Sequence, residues 1–305
     1  MVDFNTLITL LSTIFLTMMA GYVMTKIGLL PYSARGVLSD IVIDYILPCN
    51  IIVSFMIEFN SEILRSCLLI IIIAIGIEIF SFIVGYFFYS RKDLDRHLIL
   101  HYATFVSNAG FLGNPIAQGL YGDIGLLYAS VYLIPVRILM WSAGVSMYSG
   151  TRDRGIIKKV FTHPCIVAVG IGLIIMILQI PIPSGIENAL RTVSNCTTAM
   201  SMLVIGNILA EINFRDVINR DTIWYSIVRL LIIPVAVFFA CRMAGIPQLV
   251  TEVSTVLAGM PAPASSALLA SKYHGDEVLA AKIIFLSTAL SLVSIPIVCL
   301  IMKMI

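Results

Sequence analysis

Asn108-Ala109-Gly110-Phe111-Leu112-Gly113-Asn114-Pro115 and Gly259-Met260-Pro261-Ala262-Pro263-Ala264-Ser265-Ser266 decide how this chain is read. Each is a helix-breaking knot inside a stretch apolar enough to be embedded in a membrane. Lipid offers backbone groups no hydrogen-bond partner, so broken backbone at that depth survives only inside protein or beside a watery cavity. Two Gly/Pro-interrupted spans in corresponding positions point to the substrate site of an inverted-repeat transporter. Pro115 has no amide hydrogen and its ring clashes with the preceding turn. With Gly110 and Gly113 it predicts a split span whose second half-helix starts around residues 114–116. Pro261 and Pro263 predict the same for the second knot. A half-helix start presents free amides and a positive dipole end, an anion site without a fixed charge.

Composition sets the class. Of 305 residues 59% are apolar and 12% charged, with mean hydropathy +1.01; a soluble domain has about 25% charged residues. The chain therefore reads as a polytopic membrane protein without a separate soluble domain. It has no basic tract for nucleic acid. The first apolar run lacks a basic leader and reads as a spanning helix rather than a cleaved signal. Ten spans are predicted, near 5–26, 37–57, 66–89, 97–119, 124–148, 164–181, 187–211, 222–244, 250–272 and 278–303. Residues 149–163 form the longest polar connection. They divide the chain into 1–148 and 164–305, each with five spans, and an odd number per half makes the two repeats inverted. A faint echo, Tyr121-Gly122-Asp123 against His274-Gly275-Asp276, agrees.

Orientation follows from the basic residues. Loops on one side hold thirteen Lys and Arg, and the other side holds Arg65, Arg191, Arg242 and Lys303. That bias puts both termini outside and residues 149–163 in the cytoplasm of a multi-pass plasma-membrane protein.

Charged residues inside spans need a reason, because each costs about 2.5–3.5 kcal/mol at the bilayer centre on insertion scales. Arg137 is the candidate for attracting an anionic substrate; its other reading is an ion pair with Glu78 or Asp44. Glu78 is either a proton-coupling carboxylate or the partner of Arg229. Asp44, ahead of Pro48, is the second candidate proton carrier, and Asp40 is placed in the interface. His97 and His101 have the i, i+4 spacing of metal ligands without acidic or Cys companions, so no metal is expected. The polar run Asn195, Thr197, Thr198, Ser201, Gly206 and Asn207 either lines the substrate path or packs helices. The six cysteines have no metal spacing and read as small buried hydrophobes. No nucleotide fingerprint, zinc-protease motif or hydrolase triad is present, so neither an enzyme nor a cofactor is expected.

The block Asn108-x-x-x-x-Gly113-x-Pro115 followed by Gly119-Leu120-Tyr121-Gly122, the block from Leu257 to Pro263 running on to Ala270-Ser271-Lys272-Tyr273, and Ile43-Asp44-Tyr45-Ile46-Leu47-Pro48 resemble the auxin efflux carrier family, in its bacterial branch of malate- and malonate-permease-like proteins. The resemblance covers essentially the whole chain. It implies an all-α fold of two inverted five-helix repeats with spans four and nine crossing, an architecture akin to sodium/proton antiporters and bile-acid symporters. Spans one, two, six and seven would be a scaffold, and spans three to five and eight to ten a moving transport domain. It also implies a homodimer and an organic-anion substrate. The substrate carboxylate is expected on Asn108, Gly113, Asn114, Pro115, Ile116, Pro261, Ala262, Pro263, Ala264 and Ser265, drawn in by Arg137, with protons or sodium as coupling ions. A sodium-coupled organic-anion symporter, a cation/proton antiporter and a membrane-embedded ligand sensor remain as alternatives.

Overall fold

The computed structural model describes residues 4–57, 60–144, 147, 161–210, 217–263, 265–272 and 275–304. These are helical, with no strand among them. In chain order the helices are α1 Phe4–Lys26, α2 Ala34–Ile41, α3 Leu47–Ser54, α4 Ser61–Tyr89, α5 Leu94–Phe105, α6 Asn114–Leu139, α7 Pro164–Leu178, α8 Ser184–Asn195, α9 Thr197–Ala210, α10 Arg220–Ile227, α11 Ile233–Met243, α12 Gln248–Ala258, α13 Ser265–Lys272 and α14 Glu277–Met304. Among the described residues six helical stretches have the length and apolarity to cross a bilayer: 36–54, 61–89, 94–139, 184–210, 220–243 and 278–304. The protein is thus a multi-pass membrane protein. Most of the connection at 149–163 lies outside the described residues.

The polarity of the helices is that of a protein dissolved in lipid. On α4, Leu68, Ile72, Ile75, Ile79 and Phe87 are exposed, while Ala74, Glu78, Ser81 and Gly85 face inward. Lipid tails are as apolar as leucine, so close packing replaces hydrophobic segregation between helices. α1 and α9 meet backbone to backbone: a Cβ on Gly206 would sit 2.1 Å from the Met18 carbonyl oxygen, and one on Gly21 2.7 Å from that of Leu203.

Three prolines leave a common signature. π turns at Val42–Ile46, Ala109–Gly113 and Val228–Ile232 end just before Leu47-Pro48, Asn114-Pro115 and Ile233-Pro234. Leu47, Asn114 and Ile233 donate their amides five residues back, to Val42, Ala109 and Val228. The wider turn moves the carbonyl four residues before each proline away from its ring, so the helix continues through the proline instead of breaking. The true interruptions lie elsewhere. Residues 106–108 and 259–263 are non-helical. Gly122, at φ 67 and ψ −156, turns the chain sharply inside α6, and only glycine holds such a conformation without strain. The stretch 94–139 is therefore divided twice, at residues 106–108 and at Gly122.

Candidate functional site: a crossing of two broken helices

The two interruptions touch. The Asn108 amide donates to the Pro261 carbonyl at 2.9 Å, so the backbone of one knot satisfies the backbone of the other. Beyond Asn108 the helix resumes at once: the amides of Leu112 and Gly113 both reach the Asn108 carbonyl, at 3.1 and 3.3 Å. The half-helix thus begins at Ala109, five residues before the expected start around 114–116. The π turn is the reason, because it removes the clash that made Pro115 look like the breaking point. Asn114, Pro115 and Ile116 are buried and Gly113 is packed against Leu257 and Met260; none of the four lines the cavity described below. The Asn114 side-chain Oδ1 and Nδ2 are enclosed without a hydrogen-bond partner.

The second knot differs from the expectation too. Pro261 and Pro263 have no amide to offer, and the Ala262 amide is taken by Ser287 Oγ of α14 at 3.1 Å. Ala262 therefore does not present a free donor, and Ala264 lies outside the described residues. Ser265 Oγ shares a 2.8 Å hydrogen bond with the Tyr102 hydroxyl of α5.

Arg229 explains how two helix ends can point at each other in an apolar slab. It is 1% exposed. Its Nε donates to the Met260 carbonyl at 2.9 Å and its Nη1 to that of Thr104 at 2.7 Å. Thr104 lies in the last turn of α5 and Met260 just past α12. One guanidinium thus serves the negative ends of both half-helices. Glu78 is also buried and feels the Arg229 charge, but no ion pair within 4.0 Å joins them among the described residues. Its Oε2 has no hydrogen-bond partner.

Beside the crossing lies a cavity of about 490 Å³, lined among others by Asp40, Asp44, Tyr102, Asn108, Gly110, Phe111, Arg137, His163, Pro263 and Ser265. Arg137 makes neither of its expected ion pairs among the described residues. Its Nη1 contacts the His163 ring at 3.0 Å. The Cys165 amide approaches the same ring at Nδ1, at 3.3 Å. Burial, and then the Arg137 guanidinium, push His163 down to about 4, so the ring is neutral near pH 7 and accepts from Arg137. The other terminal nitrogen, Nη2, lies 3.7 Å from where a Cβ on Gly110 would stand. The guanidinium thus stands beside the first turn of the resumed helix, at a spot that glycine leaves open.

Sequence reasoning missed Tyr102, Gly110, Phe111 and His163 as cavity residues. His163 carried no signal beyond its place just before Pro164. Of the polar run of the α8–α9 region, Asn207 joins helices, its Nδ2 reaching Thr25 Oγ1 at 2.9 Å, and among the described residues of α9 only Ile208 lines the cavity. His97 and His101 bond the Tyr89 and Phe82 carbonyls at 2.9 Å, and no group of three metal-ligating side chains occurs among the described residues.

Two archaeal relatives match nearly the whole length of this chain. One is an uncharacterized transporter of Methanothermobacter thermautotrophicus, 28% identical over 295 residues, or 94% of this chain and 95% of the relative. The other is an uncharacterized transporter of Methanocaldococcus jannaschii, 25% identical over 296 residues, or 92% and 94%. The sequence profile of the family described as "Membrane transport protein" matches residues 6–299. Broken, mutually hydrogen-bonded helices beside a cavity are what a carrier needs, and with a match over nearly its full length the chain belongs to the membrane transport protein family, that of the auxin efflux carriers.

Proposed function

We propose that this protein is a secondary transporter of a small organic anion, a carboxylate such as malate, working by elevator-type alternating access. The observation that carries the reading is the Asn108–Pro261 hydrogen bond on the wall of a cavity lined also by Arg137 and by Gly110 and Phe111 of the resumed helix's first turn. A carboxylate there receives a bidentate cation and backbone donors, while Asp40 and Asp44 limit the net charge of the cavity and allow release.

Ten spans in two inverted repeats, 1–148 and 164–305, accommodate these helices. On that division the cavity lies between the two sets of spans. Gly36, Asp44, His163 and Ile208 come from the scaffold side, and Tyr102, Asn108, Arg137 and Pro263 from the moving side. Such a seam is where sliding of one set past the other would carry a bound anion. Gly36, Asp40 and His163 sit at helix ends that the basic-residue bias assigns to the cytoplasm, so the cavity opens inward. At the other end Asn50 Nδ2 ties α3 to Ser194 Oγ of α8 at 2.8 Å and to Gln118 Oε1 of α6 at 3.3 Å, an outer closure. Asp44 on the cavity wall and Glu78 beside Arg229 are the groups through which protons would couple. The functional unit is a homodimer joined through the scaffold in the plasma membrane.

Asn108→Ala tests the site. The account expects uptake of radiolabelled malate into proteoliposomes to fall at least tenfold while the variant inserts and melts as the parent does. Parent-like uptake by a folded Asn108→Ala protein contradicts the assignment.

A further inference from the structure

A second cavity, of about 440 Å³, lies away from the crossing, where the starts of α5, α10 and α14 come together. Four cations from three distant parts of the sequence line it: Lys92, Arg96, Arg220 and Lys282. Two acids accompany them, and both are engaged. Asp221 takes Lys92 and Arg96 in ion pairs, and Asp276 Oδ1 accepts the Leu279 amide at 2.8 Å. Arg220 and Lys282 are left without an ion-pair partner among the described residues. The cavity thus holds two uncompensated cations, enough for one phosphate group.

What adjoins the cations says where that phosphate comes from. One turn along α10 from Arg220 stands Trp224, 40% exposed, its ring edge-on to Phe88, 46% exposed, at 5.5 Å; Phe88 lies one turn before Lys92. Ile223 and Ile227 extend the same exposed apolar strip. A cationic cavity opening onto an aromatic and aliphatic strip matches an amphiphile: headgroup in the cavity, glycerol at the level of the Trp ring, acyl chain along the helix. A free anion would have no use for the strip. We propose that this cavity binds the phosphate of an anionic phospholipid from the leaflet on the basic-rich side. The proposal is independent of the substrate reading and concerns residues that take no part in the crossing.

The test is native mass spectrometry of the full-length protein in detergent, offered equal amounts of phosphatidylglycerol and phosphatidylcholine with the same acyl chains. Near an anionic surface each cation contributes about fivefold, so the two together give a preference for phosphatidylglycerol of about thirtyfold. Arg220→Gln with Lys282→Gln should bring the ratio close to one without lowering malate uptake. Each single variant, which removes less charge and keeps folding safe, should reduce the ratio about fivefold. Equal retention of the two lipids by the parent, or an undiminished preference in the variants, overturns the proposal. So does displacement of phosphatidylglycerol by millimolar glycerol 3-phosphate or inorganic phosphate, which would make the cavity a site for a soluble phosphate.

Discussion

Replacing Arg229 by methionine removes the one side chain that holds both half-helix ends, and its cost is worked from two hydrogen bonds. Nε to Met260 and Nη1 to Thr104 measure 2.9 and 2.7 Å, and the residue is 1% exposed. A hydrogen bond from a charged donor contributes about 1.5–3 kcal/mol, so losing two costs about 3–6 kcal/mol. Methionine keeps much of the volume and returns part of the expense of burying a guanidinium, which leaves a net loss of about 2–4 kcal/mol. Arg229→Lys keeps the charge but offers a point donor in place of a fork, so it should lose about half as much. Midpoints of unfolding in mixed dodecyl maltoside and SDS micelles, followed by circular dichroism, report the order parent, then Lys, then Met. A methionine variant as stable as the parent would refute the capping role. Full recovery of Arg229→Met stability by adding Glu78→Gln would also refute it, because it would assign the arginine to charge balance with Glu78.

Three other substitutions separate packing from electrostatics. Gly206→Ala places a methyl 2.1 Å from the Met18 carbonyl oxygen, and the backbones of α1 and α9 must part to admit it; a thermal melt should show a loss of about 1–3 kcal/mol. Gly170→Ala meets nothing within 4 Å and should melt no lower than the parent. His163, held near 4 in the folded protein, takes up fewer protons than it would unfolded, where its value is about 6.5. Its contribution therefore disfavours the folded state as pH falls from about 6.5 toward 4 and is absent above that window. His163→Gln should flatten the fall in melting temperature across this range, and an unchanged pH profile would show that His163 does not titrate there.

Much of this architecture was legible because lipid makes broken backbone rare. The two knots could be recognised from Asn, Gly and Pro alone, and the Asn108–Pro261 hydrogen bond brings them together. The turn at Gly122 lies between the expected fourth and fifth spans, where Tyr121-Gly122-Asp123 marked it. The exact break was not legible. A proline reads as a breaker only when the turn before it is α, and nothing in Asn114-Pro115 announces a π turn. The same limit moved the start of the half-helix from around residue 114 to 109. Arg229 was singled out as a buried charge, but its acceptors are main-chain carbonyls 31 and 125 residues away, and carbonyls have no sequence identity. Pairing Arg229 with Glu78 was the natural reading of two buried opposite charges, and the helix ends offered nearer partners.

The central claim is that an organic anion crosses the membrane through the cavity at the crossing. It is tested most directly by uptake of radiolabelled malate into liposomes holding only the purified protein, with membrane potential and pH gradient imposed separately. The account predicts uptake above protein-free liposomes that follows at least one of the two gradients and is lost in Asn108→Ala. Absence of uptake under both gradients, for malate and equally for malonate and an indole carboxylate, would contradict it.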